Sequence, residues 1–253
     1  MSTIPFPSER TAVVTGAGAP RGIGRHVART LTGSGWNVAV LDIVDFAAEL
    51  AEESGRTVVG VGVDIADKES VERAFATIDA ELPPILAEVN LAGIPGPQEF
   101  FDLTSENFTR IMDVNAKGTL FMMQAAAARM IEAGTGGRIV NTSSITAYDG
   151  GGTFSKTGYA AAKAAVLGLT RGGARELGKH GITCNSIVPG PIDTDIMGGT
   201  LTDERKSGMS ADIPLERVGQ PQEVAGLVKF LVSEDSSFVN GDAVFVDGGK
   251  HMV

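Results

Sequence analysis

Thr11-Ala12-Val13-Val14-Thr15-Gly16-Ala17-Gly18-Ala19-Pro20-Arg21-Gly22-Ile23-Gly24-Arg25 is the stretch that decides the fold. A short β-branched run feeds a glycine-rich turn, and the turn feeds a segment of helical period over 22–34. Glycines let backbone N–H groups approach a ligand closely, and the positive helix end behind them favours an anion, so the unit suits a pyrophosphate. Outward from it the alternation repeats. Strand-like runs span Asn37 to Asp42, Thr57 to Asp64, Ile85 to Ala92, Arg138 to Ser143, Ile182 to Pro189 and Ala243 to Asp247. Helical segments fall at 46–54, 68–81, 105–133, 157–179 and 221–232, with a weakly periodic interval from Pro189 to Pro214 that suits a flap. Runs such as Val38-Ala39-Val40-Leu41 lack polar alternation, as strands covered on both faces do. The expectation is an α/β fold: a doubly wound, parallel, seven-stranded sheet with helices on both faces, in a single domain over 1–253.

Composition narrows the function. The 253 residues carry 31 acidic against 21 basic side chains, a net charge of −10 that repels nucleic acid. Glycine is in excess, with 33 residues against a usual share of about 7 %, and shows no collagen-like period. The single cysteine, Cys184, and three scattered histidines provide neither an intrachain disulfide nor metal-ligand spacing. No apolar run reaches the ~18 residues of a membrane span, and the N-terminal segment lacks signal-peptide character. A soluble cytoplasmic protein with no metal and no membrane partner is expected.

Asp42 closes the second strand eighteen residues after Gly24, near the ~20-residue offset at which an acid meets the adenosine ribose. Its carboxylate accepts from the ribose diol and repels a 2′-phosphate, favouring NAD over NADP. Arg21 argues the other way if it meets a 2′-phosphate, and is neutral if it pairs with a carboxylate. Ile43 and Val44 supply no second cation. Further along, Tyr159-Ala160-Ala161-Ala162-Lys163 places a phenol and an ammonium four residues apart on one helix face. A phenol's ordinary pKa is about 10, and a neighbouring cation favours the phenolate, so the pair suits proton transfer.

The glycine turn, Asp42, Asn90-Leu91-Ala92-Gly93, Asn115, Ser144, Tyr159/Lys163, Pro189-Gly190 and the closing Val246-Asp247-Gly248-Gly249 together resemble the short-chain dehydrogenase/reductase family, in its ~250-residue, Rossmann-like branch. The likeness covers essentially the whole chain. It implies a catalytic tetrad in which Tyr159 is the general acid/base, Lys163 lowers its pKa and bonds the nicotinamide ribose, Ser144 bonds the reacting oxygen, and Asn115 holds a relay water. It also implies cofactor contacts at Gly16, Arg21, Gly22, Ile23, Gly24, Asp42 and Ile43. Further contacts are implied at Asp64 and Ile65 for the adenine, at Asn90, Ala92 and Gly93, and at Pro189, Gly190, Ile192 and Thr194 around the nicotinamide. Ser143, one residue before the catalytic serine, is read as a neighbour that bonds the backbone.

Three departures from the family pattern stand out. Five residues rather than three separate Gly16 from Gly22, Leu91 replaces an asparagine, and the Ser144-to-Tyr159 gap is about two residues longer than usual. The resemblance implies an NAD-dependent oxidoreductase acting on a small-molecule alcohol or ketone, assembled as a homotetramer. The segments expected to bound the pocket contain few cations, which favours a neutral secondary alcohol. An NADP-dependent 3-oxoacyl-thioester reductase is the alternative, against which His180 stands where carrier-protein reductases present an arginine. A nucleotide-sensing regulator without catalysis is a third reading, opposed by the complete tetrad.

Overall fold

A computed structural model describes residues 6–42, 47–152, 155–195 and 202–252. All seven expected strands are present: β1 (Thr11–Thr15), β2 (Asn37–Asp42), β3 (Val58–Gly62), β4 (Ile85–Asn90), β5 (Gly137–Thr142), β6 (Ile182–Pro189) and β7 (Ala243–Val246). They form one parallel sheet in the order β3-β2-β1-β4-β5-β6-β7. The order reverses between β1 and β4, and in an open α/β sheet the ligand crevice lies at that reversal, beyond the carboxyl ends of the strands.

Apolar packing covers both faces. Against one lie α1 (Ile23–Thr32), α2 (Ala47–Ser54) and α9 (Pro221–Leu231), contributing Val27, Leu31, Leu50, Val224 and Val228 to a core with Val14, Val40 and Val89. Against the other lie α3 (Lys68–Glu81), α5 (Thr119–Ala133) and α7 (Thr157–Leu177), with Phe75, Ile78, Met122 and Met130 over Val13, Leu41 and Ile139. β7 pairs only with β6 among the described strands, and all four of its residues remain half-buried.

Differences from the expected boundaries have local causes. β3 stops at Gly62 because Asp64 turns the chain: its Oδ1 accepts from Ala66 N at 2.9 Å. β4 stops at Asn90 because the next two amides leave the ladder for the Thr15 hydroxyl, Leu91 N at 3.0 Å and Ala92 N at 3.1 Å. The single helix expected over 105–133 is α4 (Ser105–Met112), a π-helical turn over Asp113–Gly118, and α5. Within the Pro189-to-Pro214 interval, α8 (Asp203–Ser210) is capped by Thr202, whose Oγ1 accepts from Arg205 N at 3.3 Å. Residues 196–201 of that interval lie outside the described residues.

Candidate active site

The glycine turn packs as its composition requires. Gly16 has φ +70, and a Cβ there would lie 2.7 Å from Ala92 N; a Cβ on Gly24 would strike the Gly16 carbonyl oxygen. Turn, α1 and the Asn90–Gly93 segment therefore nest without side chains between them. Gly22 is the N-cap of α1 and provides no side-chain cap, so the backbone N–H groups at the start of the helix face the crevice. This cradle fits a dinucleotide phosphate. Asp42 stands at the end of β2 with Oδ2 accepting from Gly18 N at 2.7 Å, which aims the carboxylate across the turn. The guanidinium of Arg21 meets carboxylates: Nη2 lies 2.6 Å from Asp193 Oδ1, and Nη1 lies 3.9 Å from Asp195. Ile43 lies outside the described residues.

The other expected cofactor residues lie at or beyond the ends of β3, β4 and β6. Asp64 is exposed beside a surface concavity of about 660 Å³ that also includes Ser105 and Asp113. Ile65 is 7 % exposed and packs under the π turn, where a Cβ on Gly118 would meet it at 2.9 Å. Asn90 is buried and donates from Nδ2 to Asn141 Oδ1 at 2.9 Å, so its side chain ties β4 to β5 rather than facing the crevice. Pro189 ends β6, and Gly190 N donates to Val246 O at 3.2 Å where a Cβ would strike Asp247. Ile192 and Thr194 follow it, both buried.

The four chemical residues converge at the carboxyl ends of β4 and β5. Tyr159 and Lys163 lie in the first two turns of α7, with the Lys163 ammonium 5.5 Å from the Tyr159 ring centroid. The end of β5 is fastened to this helix from both sides: Lys163 Nζ donates to Thr142 O at 2.8 Å, and Ser143 Oγ donates to Lys163 O at 2.8 Å. Ser143 thus bonds backbone as expected, and its neighbour Ser144 is left at the crevice. The Ser144 hydroxyl donates to Thr146 Oγ1 at 3.1 Å and accepts from Thr146 N at 3.2 Å, at the start of the short α6 (Thr146–Asp149).

Asn115 causes the π turn that holds it. Its Nδ2 donates to Ile111 O, a carbonyl of the preceding helical turn, and to Ile94 O, both at 3.0 Å. A side chain inserted into the helical ladder in this way forces a wider turn. Its Oδ1 is buried with no hydrogen-bond partner among the described residues. A Cβ on Gly93 would lie 2.5 Å from that oxygen and 3.5 Å from Lys163 Nζ, so Asn115 and Lys163 flank the same glycine. The arrangement suits a proton path from the ammonium towards the π turn.

The electrostatics differ in one respect from expectation. Although part of the ring surface is accessible, the protein around Tyr159 is dense enough that burial pushes the phenol up to about 12; burial pushes the Lys163 ammonium down to about 8. Desolvation therefore raises the phenol where the sequence led us to expect Lys163 to lower it. Tyr159 is held protonated at neutral pH, a proton donor in waiting.

Several participants carried no sequence signal strong enough to select them. Thr15 looks like an ordinary strand residue, yet its hydroxyl receives both amides that redirect the chain after β4. Asp193, which lies between Ile192 and Thr194, gathers two cations, Arg21 and Lys206 of α8. Tyr148, on the segment between Ser144 and Tyr159, packs on Phe245 and His251 at centroid distances of 5.0 and 5.1 Å.

Comparison with known proteins fits this geometry. A family model described as enoyl-(acyl carrier protein) reductase matches residues 16–251. The chain belongs to the short-chain dehydrogenase/reductase family. It is 38 % identical over 251 residues to L-rhamnose 1-dehydrogenase (NAD(P)(+)) of Azotobacter vinelandii, covering 95 % of this chain and 96 % of that one. It is 38 % identical over 255 residues to (3R)-3-hydroxyacyl-CoA dehydrogenase of Rattus norvegicus, with the same coverage. Among solved structures, levodione reductase superposes with a TM-score of 0.87 at 30 % identity, covering 97 % of this chain and 98 % of that one. The relatives support an NAD(P)-dependent dehydrogenase or reductase. Among the described residues, no helix is long and apolar enough to cross a membrane, and no cluster of metal-ligating side chains occurs.

Proposed function

We propose that this chain, as one domain over 1–253, transfers hydride between NAD and a neutral secondary alcohol or ketone, using Ser144, Tyr159, Lys163 and Asn115. The observation that supports the reading is the convergence of Tyr159 and Lys163 on the end of β5, with Asn115 Oδ1, buried and without a hydrogen-bond partner among the described residues, beside Lys163. The nicotinamide supplies or accepts the hydride when bound; the protein supplies position and proton transfer. Gly16, Gly22, Ile23 and Gly24 present backbone to the pyrophosphate, and Asp42 accepts from the ribose. Ser144 turns its hydroxyl from Thr146 to the substrate oxygen. Tyr159 gives that oxygen its proton in reduction and removes it in oxidation, while Lys163 and Asn115 restore the proton from solvent.

Charge supports a neutral substrate. Lys156 pairs with Glu99 at 2.5 Å, Lys206 with Asp193 at 2.6 Å, and Lys250 with Asp212. An anionic substrate would have to compete with these carboxylates for a cation. The cofactor preference rests on Asp42 together with the engagement of Arg21 by Asp193. Asp42→Ala is expected to lower the NAD/NADP ratio of kcat/KM; a wild-type preference for NADP would contradict the assignment.

The direct test is absorbance at 340 nm with NAD and NADP, against neutral diols, cyclic alcohols, hydroxy acids of matched size and a 3-hydroxyacyl thioester. A neutral alcohol is expected to lead with NAD. The thioester is the second reading, favoured by the rat 3-hydroxyacyl-CoA relative, and higher kcat/KM for it would displace the first. A cytoplasmic homotetramer completes the proposal, supported by the half-buried edge strand β7.

A further inference from the structure

The lengthened glycine turn reaches the far side of the crevice. Arg21, in the part of the turn where two extra residues lie, donates from its backbone N to Asp195 Oδ2 at 3.1 Å and from Nη2 to Asp193 Oδ1 at 2.6 Å. Those acids follow β6, whereas Arg21 follows β1; in the sheet β4 and β5 lie between the two strands. The contact therefore bridges the carboxyl ends of the strands that carry Asn90–Gly93 and Ser144. Asp193 does not end the bridge. Its second oxygen, Oδ2, lies 2.6 Å from Lys206 Nζ on α8, and its own N donates to Gly219 O at 2.9 Å. Its side chain is 6 % exposed, against 35 % for Arg21 and 32 % for Lys206. Lys206 first, and Arg21 after it, hold the Asp193 carboxyl below the usual carboxylate range.

We propose that Arg21, Asp193 and Lys206 form an ionic clasp across the cofactor groove, with Asp193 as the positioning residue, and that opening this clasp sets the rate at which the dinucleotide leaves. The inference rests on the dinucleotide reading of the groove. A dinucleotide with its pyrophosphate at the start of α1 and its nicotinamide at Tyr159 runs along the line that the bridge crosses. Neither end of the bridge is a loose surface pair: one carboxylate with both oxygens engaged joins a turn, a strand end and a helix. Removing either partner frees the turn and α8 to separate. Because the two cations remain partly exposed, salt weakens the clasp.

Stopped-flow fluorescence with NADH on the full-length protein tests this in wild type, Arg21→Gln, Asp193→Asn, Lys206→Gln and the Arg21→Gln/Asp193→Asn pair. Release is expected to accelerate about tenfold in Asp193→Asn, equivalent to ~1.4 kcal/mol, with association changed far less. The double variant is expected to release no faster than the faster single one, because both remove the same contact. Added salt is expected to speed release from wild type and to have little effect on Asp193→Asn. Release rates within twofold of wild type, or additive effects, would overturn the clasp. Lys206→Gln alters only a partly exposed side chain and keeps the test available if Asp193→Asn folds poorly.

A second readout needs no cofactor: hydrogen–deuterium exchange over 203–210 is expected to quicken in Lys206→Gln and Asp193→Asn. Unchanged exchange there overturns the clasp even if NADH binds. Quickened exchange with no NADH binding to wild type leaves the ionic bridge standing and removes the dinucleotide reading, and with it the role in release.

Discussion

Glu88 is the residue whose chemistry is least at ease in this fold. It lies in the middle of β4, fully buried, in register with Val13 and Ile139, and neither carboxyl oxygen has a hydrogen-bond partner within bonding geometry among the described residues. Burial pushes it up to about 8, opposed only weakly by the nearby Asn90 amide. Raised from an ordinary value near 4.5, Glu88 contributes stability in full below about pH 4.5. That contribution is lost as pH rises through 8, because the native state must then hold a buried charge or take up a proton. Urea unfolding between pH 5 and pH 8 is expected to show a loss of up to a few kcal/mol in wild type that is absent in Glu88→Gln. Parallel pH profiles for the two proteins would contradict this. The same desolvation acts at Lys163 and Tyr159, where it keeps the phenol protonated, as the proposed mechanism requires of a proton donor.

At the scale of elements, legibility in the sequence followed the physics of periodicity. β1, β2, β6 and α3 begin and end where the sequence places them, the strands because apolar runs mark them; at the start of α3 the structure adds a cap by Asp67. Gly16, Gly24, Asp42, Tyr159 and Lys163 are candidates on local spacing and Ser144 on the family resemblance, and the fold brings the last three to one end of β5. The π turn was not legible, since it arises from one side chain, Asn115, competing for a carbonyl four residues back. Nor were Thr15 and Asp193, whose partners lie 76 and 172 residues away. Thr15 offers a test. Thr15→Val keeps the shape but leaves the amides of Leu91 and Ala92 without their acceptor. Thermal or urea unfolding is expected to show a loss of about 2–4 kcal/mol, from one to three for each stranded group with some relaxation. A loss below about 0.5 kcal/mol, within the usual surface range, would mean that the hydroxyl does not anchor this segment.

At the scale of the whole molecule, several large apolar side chains remain exposed. Phe100 and Phe101 pack edge to face at 5.4 Å while 68 % and 97 % exposed, and β7 ends the sheet half-covered. Closed two-fold symmetry is the usual way to cover such surface. Light scattering at micromolar concentration is expected to report a particle about four times the 26.2 kDa chain. A particle of one chain mass would contradict the homotetramer without touching the chemistry.

That chemistry stands on Tyr159, and the most direct measurement is turnover of Tyr159→Phe at 340 nm beside its dinucleotide affinity. In the proposed mechanism the phenol transfers a proton and contributes little to binding. A fall in kcat of at least ~10²-fold is therefore expected, with dinucleotide Kd within about twofold of wild type. Retention of more than about a tenth of wild-type kcat would contradict the proposed role of Tyr159 as the acid and base of this site.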